Sequence, residues 1–207
     1  MKTKMKMTGD VFKDLIEANP NWCKDLKEKT SITTYADLSN SNITQLSPLL
    51  TFTAKKESAT FCNCKNLKVA TGTFKGYVSF GNSGVEKIED LKVTGSDTYG
   101  SAASFVNCKN LKVAAGTFRG GVYFSDSGIE KIGKLKITST MVRTLSEFYG
   151  CEPETLGVKA DFRDCFIKNI PNAYRGEEYM FDETVINSFL RDRVVQQIKS
   201  ETNLIEL

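Results

Sequence analysis

The sequence predicts a mainly β chain wound into a parallel solenoid, with a helical cap at each end. Three observations predict it. Residues 61–95 (FCNCKNLKVATGTFKGYVSFGNSGVEKIEDLKVTG) and residues 105–139 (FVNCKNLKVAAGTFRGGVYFSDSGIEKIGKLKITS) are near copies at an offset of 44 residues with no gap. Each block divides again into two units, with skeletons A-x-F-x-x-C-x-x-L-x-V and V-x-F-x-x-S-x-[VI]-x-x-I-x-x-L-x-[VI]. Within each unit apolar and polar residues alternate with a period of two, as in a strand that shows one face to a core.

The leading apolar pairs fall at Ala36/Leu38, Ala59/Phe61, Val78/Phe80, Ala103/Phe105, Val122/Phe124 and Ala160/Phe162, spaced by 23, 19, 25, 19 and 38 residues. The last interval leaves room for one degenerate coil around residues 141–151. Units of about 20 residues are too short to fold alone, so each must bury its apolar side against the next coil. A second alternation, Leu-Lys-Val or Leu-Lys-Ile, recurs at 67–69, 91–93, 111–113 and 135–137 and reads as a second extended side. Gly76, Gly95, Gly120 and Gly121 punctuate the turns between the sides.

A solenoid needs its terminal coils covered. Asp10 is placed to cap a helix carrying Val11, Phe12, Leu15 and Ile16, and Asn19-Pro20-Asn21 to start another carrying Trp22 and Leu26. At the other end Asp182 or Glu183 opens a stripe of Val185, Ile186, Phe189, Leu190, Val194 and Ile198. The expected organisation is an N-terminal helical cap (1–33), a repeat solenoid (34–176) and a C-terminal helix (177–207).

The segment YADLSNSNITQLSPL (35–49) resembles the leucine-rich-repeat consensus, with Ala36, Leu38, Ile43 and Leu46 on its apolar positions and Ser41 on its Asn/Cys position. The ASFVNCKNLKVAAGTF type of unit is similar to the bacterial surface-protein variant of that family, the BspA-like repeats. The resemblance covers about residues 34–170; few Leu residues and irregular coil lengths depart from it. It implies a parallel-stranded solenoid of leucine-rich-repeat type that binds proteins on its exposed strand face.

Two exposed columns are candidates for that contact. One lies between the paired apolar positions: Asp37, Thr60, Ser79, Ser104, Tyr123 and Asp161. It is the column that faces the partner in leucine-rich repeats. Tyr123 is its one large group and a candidate anchor, and Asp37 and Asp161 stand at its two ends. The other is a lysine ladder: Lys68, Lys92, Lys112 and Lys136 are the central residues of the four Leu-Lys-Val/Ile segments and are expected to align into a positive row about 15 Å long. Such a row suits an acidic partner, protein or nucleic acid, or it simply keeps the surface soluble.

Composition narrows the chemistry. The chain has 40% hydrophobic and 26% charged residues and a formal net charge of +3, ordinary values for a folded protein. The charge is unevenly spread: residues 59–139 hold eleven Lys and Arg against six Asp and Glu, and residues 177–207 three against seven. There is no histidine, which removes Ser-His and Cys-His nucleophile pairs. Gly72-Thr73-Phe74-Lys75-Gly76 lacks phosphate-loop spacing and recurs at 116–120, so it reads as a turn of the repeat. Glu89/Asp90 has Gly133/Lys134 in its place in the sister copy. Neither catalysis nor a cofactor is expected.

Of six cysteines, Cys64, Cys108 and Cys165 share one repeat position with Ser41, Ser83 and Ser127. That alternation asks for a small side chain at a tight bend. Cys64 and Cys108, two coils apart, are expected about 10 Å from one another, beyond disulfide reach. Cys62-Asn63-Cys64 is a poor metal pair, and no metal site is expected.

The opening MKTKMKMTGD leads into no apolar run of signal length, and no stretch reaches bilayer-spanning length, so a cytoplasmic, membrane-free protein is expected. The leading functional expectation is a binding module, an inhibitor or adaptor acting on a protein partner. The alternatives are a nucleic-acid-associated steric blocker of the counter-defence kind and a surface adhesin. Oligomeric state is left open.

Overall fold

The computed structural model describes residues 5–98, 100–137, 160–161 and 179–180. The chain opens with β1 (Met5–Met7), helix α1 (Gly9–Ala18), a 3₁₀ turn (Trp22–Asp25) and β2 (Thr30–Ile32). The coils follow as β3 (Ala36–Asp37) and β4 (Leu50–Phe52), then β5 (Glu57–Thr60), β6 (Val69–Ala70) and β7 (Thr73–Phe74). Next come β8 (Tyr77–Ser79), β9 (Lys87–Ile88) and β10 (Lys92–Val93), then β11 (Ser101–Ser104) and β12 (Val113–Phe118). β13 (Gly121–Tyr123), β14 (Lys131–Ile137), β15 (Ala160–Asp161) and β16 (Tyr179–Met180) complete the described strands.

Each coil passes through two long sheets. The front sheet has the order β3-β5-β8-β11-β13-β15-β16, and the back sheet β1-β2-β4-β7-β10-β12-β14. A short side sheet, β6-β9, lies between them along the chain. The strand pairs are parallel. This is a mainly β parallel solenoid, as the repeat predicts. The back sheet starts inside the N-terminal segment, because β1 pairs with β2 and β2 with β4.

The core is a pair of columns running up the stack. Phe61, Phe80, Phe105 and Phe124, one per coil of the front sheet, stack face to face with centroids 5.2, 4.9 and 5.3 Å apart. On the back sheet Phe52 stacks on Phe74 at 4.5 Å, and Val93 takes the register position between Phe74 and Phe118. The columns meet edge to face, Phe61 on Phe74 at 6.3 Å and Phe105 on Phe118 at 6.4 Å. Strand spacing of about 4.8 Å brings equivalent residues of successive coils to ring-stacking distance. Identity of position in the repeat thus becomes a continuous aromatic spine.

Helix α1 packs on the first coil. Its Phe12 and Ile16 are buried, and Phe12 meets Phe52 edge-on at 5.6 Å and Trp22 at 5.9 Å. Thr8, rather than Asp10, is the N-cap: its hydroxyl accepts from the Val11 N–H at 3.3 Å, which places Asp10 in the first turn. There Asp10 still favours the positive end of the helix dipole. The second helix expected after Asn21 is only the four-residue 3₁₀ turn. Thr44 of the first coil donates its N–H to the Pro20 carbonyl and its hydroxyl to Asn21 Oδ1, pinning the segment to the solenoid. The C-terminal helix expected from residue 182 lies outside the described residues.

A bend leaves the front sheet two residues after each inward Leu or Phe. Asn40, Asn63, Asn82, Asn107 and Asp126 occupy it with φ of 62°, 60°, 57°, 60° and 57°. Asn and Asp tolerate this left-handed region better than other side-chain-bearing residues. Their amides also bond along the stack: Asn82 Nδ2 donates to Asn63 Oδ1, and Asn107 Nδ2 to Asn82 Oδ1 at 3.2 Å. The residue after the bend is the alternating Ser/Cys position. Cys64 Sγ donates to the Leu38 carbonyl at 3.0 Å, and Cys108 Sγ to the Phe80 carbonyl at 3.1 Å. The position therefore selects a small donor, which both Ser and Cys supply.

Candidate functional site

The expected front column forms in register. Asp37 pairs with Thr60, Thr60 with Ser79, Ser79 with Ser104, Ser104 with Tyr123 and Tyr123 with Asp161. Their neighbours Ala59, Val78, Ala103 and Val122 are buried; in the column itself Asp37 is exposed, Thr60, Ser79 and Tyr123 are half-buried, and Ser104 is buried. Tyr123 is held in place, with its hydroxyl 3.2 Å from Ser101 Oγ. The Ser39 N–H donates to Asp37 Oδ1 at 2.9 Å, and this backbone bond, with the Ser39 hydroxyl, holds the Asp37 carboxyl below the usual carboxylate range.

Two further tyrosines join this face, and the sequence reading did not single them out. Tyr77 pairs in register with Glu57, one step before the column, and its half-buried phenol lies toward the hydroxyls of Ser79 and Ser104. Burial pushes that phenol above its ordinary value, with the serines partly offsetting it. Tyr35 is exposed beside Asp37; desolvation, then the carboxylates of Asp37 and Glu57, raise its phenol. Their spacing carried a signal: Tyr35 and Tyr77 each directly precede the first inward residue of their coils, Ala36 and Val78. Cys62 lies between the columns, half-buried, with Sγ 3.1 Å from Ser79 Oγ and 3.2 Å from Thr60 Oγ1.

The lysine ladder does not form as one row. Lys92 pairs with Thr73 below and Thr117 above, and Thr117 pairs with Lys136, so Lys92 and Lys136 belong to the back sheet with a threonine between them. Lys68 and Lys112 instead precede the side of the coil that carries β6 and β9. The Lys68 N–H donates to the Thr44 carbonyl, and the Lys68 carbonyl accepts from the Glu86 N–H. The cause is a difference in where the motif falls along the coil. Lys68 and Lys112 follow their spine phenylalanines, Phe61 and Phe105, by 7 residues, whereas Lys92 and Lys136 follow Phe80 and Phe124 by 12. After Lys68 the chain still crosses the side sheet and turns at Gly72 (φ 101°); before Lys92 it has already done so and turned at Asp90 (φ 48°).

The two pairs of lysines differ electrostatically as well. Lys68 Nζ sits 2.7 Å from Glu86 Oε1, and Lys112 Nζ 2.8 Å from Glu130 Oε1, each glutamate coming from the next coil. Among the described residues Lys92 and Lys136 have no ion-pair partner.

Cys23, Cys62, Cys64 and Cys108 are free thiols. Burial raises the thiols of Cys23, Cys64 and Cys108, Cys23 to about 12. Cys151 and Cys165 lie outside the described residues. Among the described residues no three or more Cys, Asp or Glu side chains gather as a metal site. No described helix is long and apolar enough to cross a membrane. No protein-family model, curated protein or solved structure matches the chain.

Proposed function

We propose that this protein is a non-catalytic binding module, an inhibitor or adaptor that engages a protein partner with the outer face of its front sheet. One observation carries the reading: exposed Tyr35 and half-buried Tyr77 and Tyr123 line the outer face of a parallel sheet among small hydroxyl residues, Tyr123 steadied by the Ser101 hydroxyl. Tyrosine offers large amphipathic contact area at low entropic cost, and serine adaptable hydrogen bonds, the composition that protein-binding surfaces favour. A sheet whose strands are fixed by the stack loses little freedom on docking. Asp37 at one end supplies an ionised carboxylate for a cationic contact. The likeness of residues 35–49 to leucine-rich repeats supports the same use of this face and the finer assignment to that repeat type. The lack of histidine and the inward burial of three thiols support a non-catalytic, cytoplasmic reading.

Affinity capture with the full chain, run beside a Tyr35→Ala/Tyr123→Ala variant of unchanged circular dichroism, tests this. A stoichiometric protein partner held by the parent and lost by the variant is the expected result. Equal retention by both removes the front sheet from the interaction.

A further inference from the structure

We propose that the outer face of the back sheet is a second binding surface, which grips the phosphate backbone of double-stranded nucleic acid without reading its sequence. Two outward columns flank the buried row Phe52, Phe74, Val93 and Phe118. The first runs Thr51, Thr73, Lys92, Thr117 and Lys136, in register. The second runs Thr53, Lys75, Thr94 and Arg119, each donating its N–H to the inward residue of the coil before. From β7 to β14 every coil contributes one cation, and the cations alternate between columns: Lys75, Lys92, Arg119, Lys136. Neighbours are offset by about 4.8 Å across strands and about 6.6 Å along them, so the row zigzags at about 8 Å per step.

Among the described residues these cations form no ion pair. The described ion pairs are Lys13 with Glu17, Lys68 with Glu86, Lys109 with Asp126 and Lys112 with Glu130, and none involves the zigzag. Glu89 and Asp90 line a groove together with Lys92, Thr117 and Lys134 but make no ion pair with Lys92. Like charges on neighbouring strands repel and weaken a sheet. On the side of the coil the chain pairs Lys68 with Glu86 and Lys112 with Glu130; the four cations of the back face have no such partner among the described residues. The face is already made water-compatible by threonine, so solubility does not call for the cations. An external polyanion does.

Chemistry separates the possible polyanions. Among the described residues this face presents Thr, Lys and Arg, with no aromatic side chain in either column. Protein interfaces draw their energy from aromatic and apolar anchors and are depleted in lysine. Arg, Lys and Thr are the groups that contact phosphate oxygens. The hydroxyls of Thr53 and Thr94 bond the backbone, whereas those of Thr51, Thr73 and Thr117, in the column of Lys92 and Lys136, have no such bond among the described residues. Without rings to stack unpaired bases, the surface suits a duplex better than a single strand.

The test is fluorescence anisotropy of the full chain with a mixed-sequence DNA duplex, from about 50 to about 200 mM salt. Four phosphate contacts predict that log K falls with log salt at a slope of about 3 to 4. Replacing Lys75, Lys92, Arg119 and Lys136 with Gln is expected to weaken binding at least about tenfold and flatten the slope. Lys68→Gln/Lys112→Gln, which touches only the paired lysines, is the control and should change affinity less than about twofold. All six positions are exposed, and equal melting temperatures confirm the fold. No binding at low salt, or undiminished binding by the four-fold variant, overturns the proposal. So does equal competition by poly-glutamate, which would make an acidic polypeptide the occupant, or by single-stranded DNA.

Discussion

Replacing Phe80 with alanine takes the second ring out of the four-ring spine and tests whether the stack behaves as one body. The ring is buried, stacked at 5.2 Å on Phe61 and 4.9 Å on Phe105, and edge-on to Phe74 at 6.2 Å. Burial and cavity terms for Phe→Ala span about 3–5 kcal/mol. That span already includes lost ring contacts; aromatic pairs are worth about 0.5–1.5 kcal/mol each, and losing three at once sets Phe80 at its upper end. Neighbouring strands cannot close on the gap without breaking their ladders, so about 4–5 kcal/mol is expected. Against a total of about 5–15 kcal/mol for a domain, that leaves a marginal protein. Urea unfolding should be followed by far-UV circular dichroism and by the fluorescence of Trp22, the single tryptophan, which packs on Phe12 of helix α1. Because each coil contacts only its neighbours, the weakened middle should also pull the two signals apart, where the parent shows one transition. A loss under about 1.5 kcal/mol, the range of tolerated volume-conserving swaps, would falsify the continuous spine.

Further outcomes follow from the bends and the buried groups. Asn107→Ala, forcing a left-handed backbone on a residue that dislikes it, should cost about 1–2 kcal/mol, and Asn107→Gly should recover most of that in the same urea assay. Cys108→Ser keeps a small donor to the Phe80 carbonyl and should shift stability by less than about 1 kcal/mol, whereas Cys108→Val, which removes the donor and adds bulk, should cost about 1–3 kcal/mol. Native alkylation mapped by mass spectrometry should label Cys62 well before Cys23, Cys64 and Cys108, and equal rates would contradict their burial. Cys23 is raised from 9.0 to about 12, so the unfolded chain loses this proton first. Its contribution is full below pH 9 and fades as pH climbs toward 12, and Cys23→Ala should flatten that alkaline decline in stability.

Much of this architecture is legible in the chain before any coordinate. The 44-residue duplication makes Phe61 equivalent to Phe105 and Phe80 to Phe124, and in a stack of coils equivalence becomes contact. The same reasoning places Asp37, Thr60, Ser79, Ser104 and Tyr123 in one outward column, because alternation along a strand dictates the face. The Asn or Asp two residues after each inward Leu or Phe is equally visible but carries no meaning in the sequence alone: without a bend to put them in, Asn63, Asn82 and Asn107 look like ordinary polar loop residues.

Local pattern could not say on which side of the coil a segment lies. Leu67-Lys68-Val69 and Leu91-Lys92-Val93 have the same spelling, yet one enters the side sheet and the other forms the back sheet. The difference is path length from the front sheet and the placing of left-handed turns at Gly72 and Asp90, which are properties of the closed coil. That geometry also put Glu86 and Glu130 within reach of Lys68 and Lys112 and left Lys92 and Lys136 open to solvent. Spacing along one strand dictates which way a side chain points; its neighbours across strands, and hence whether its charge is cancelled, depend on how far the chain travels before it returns.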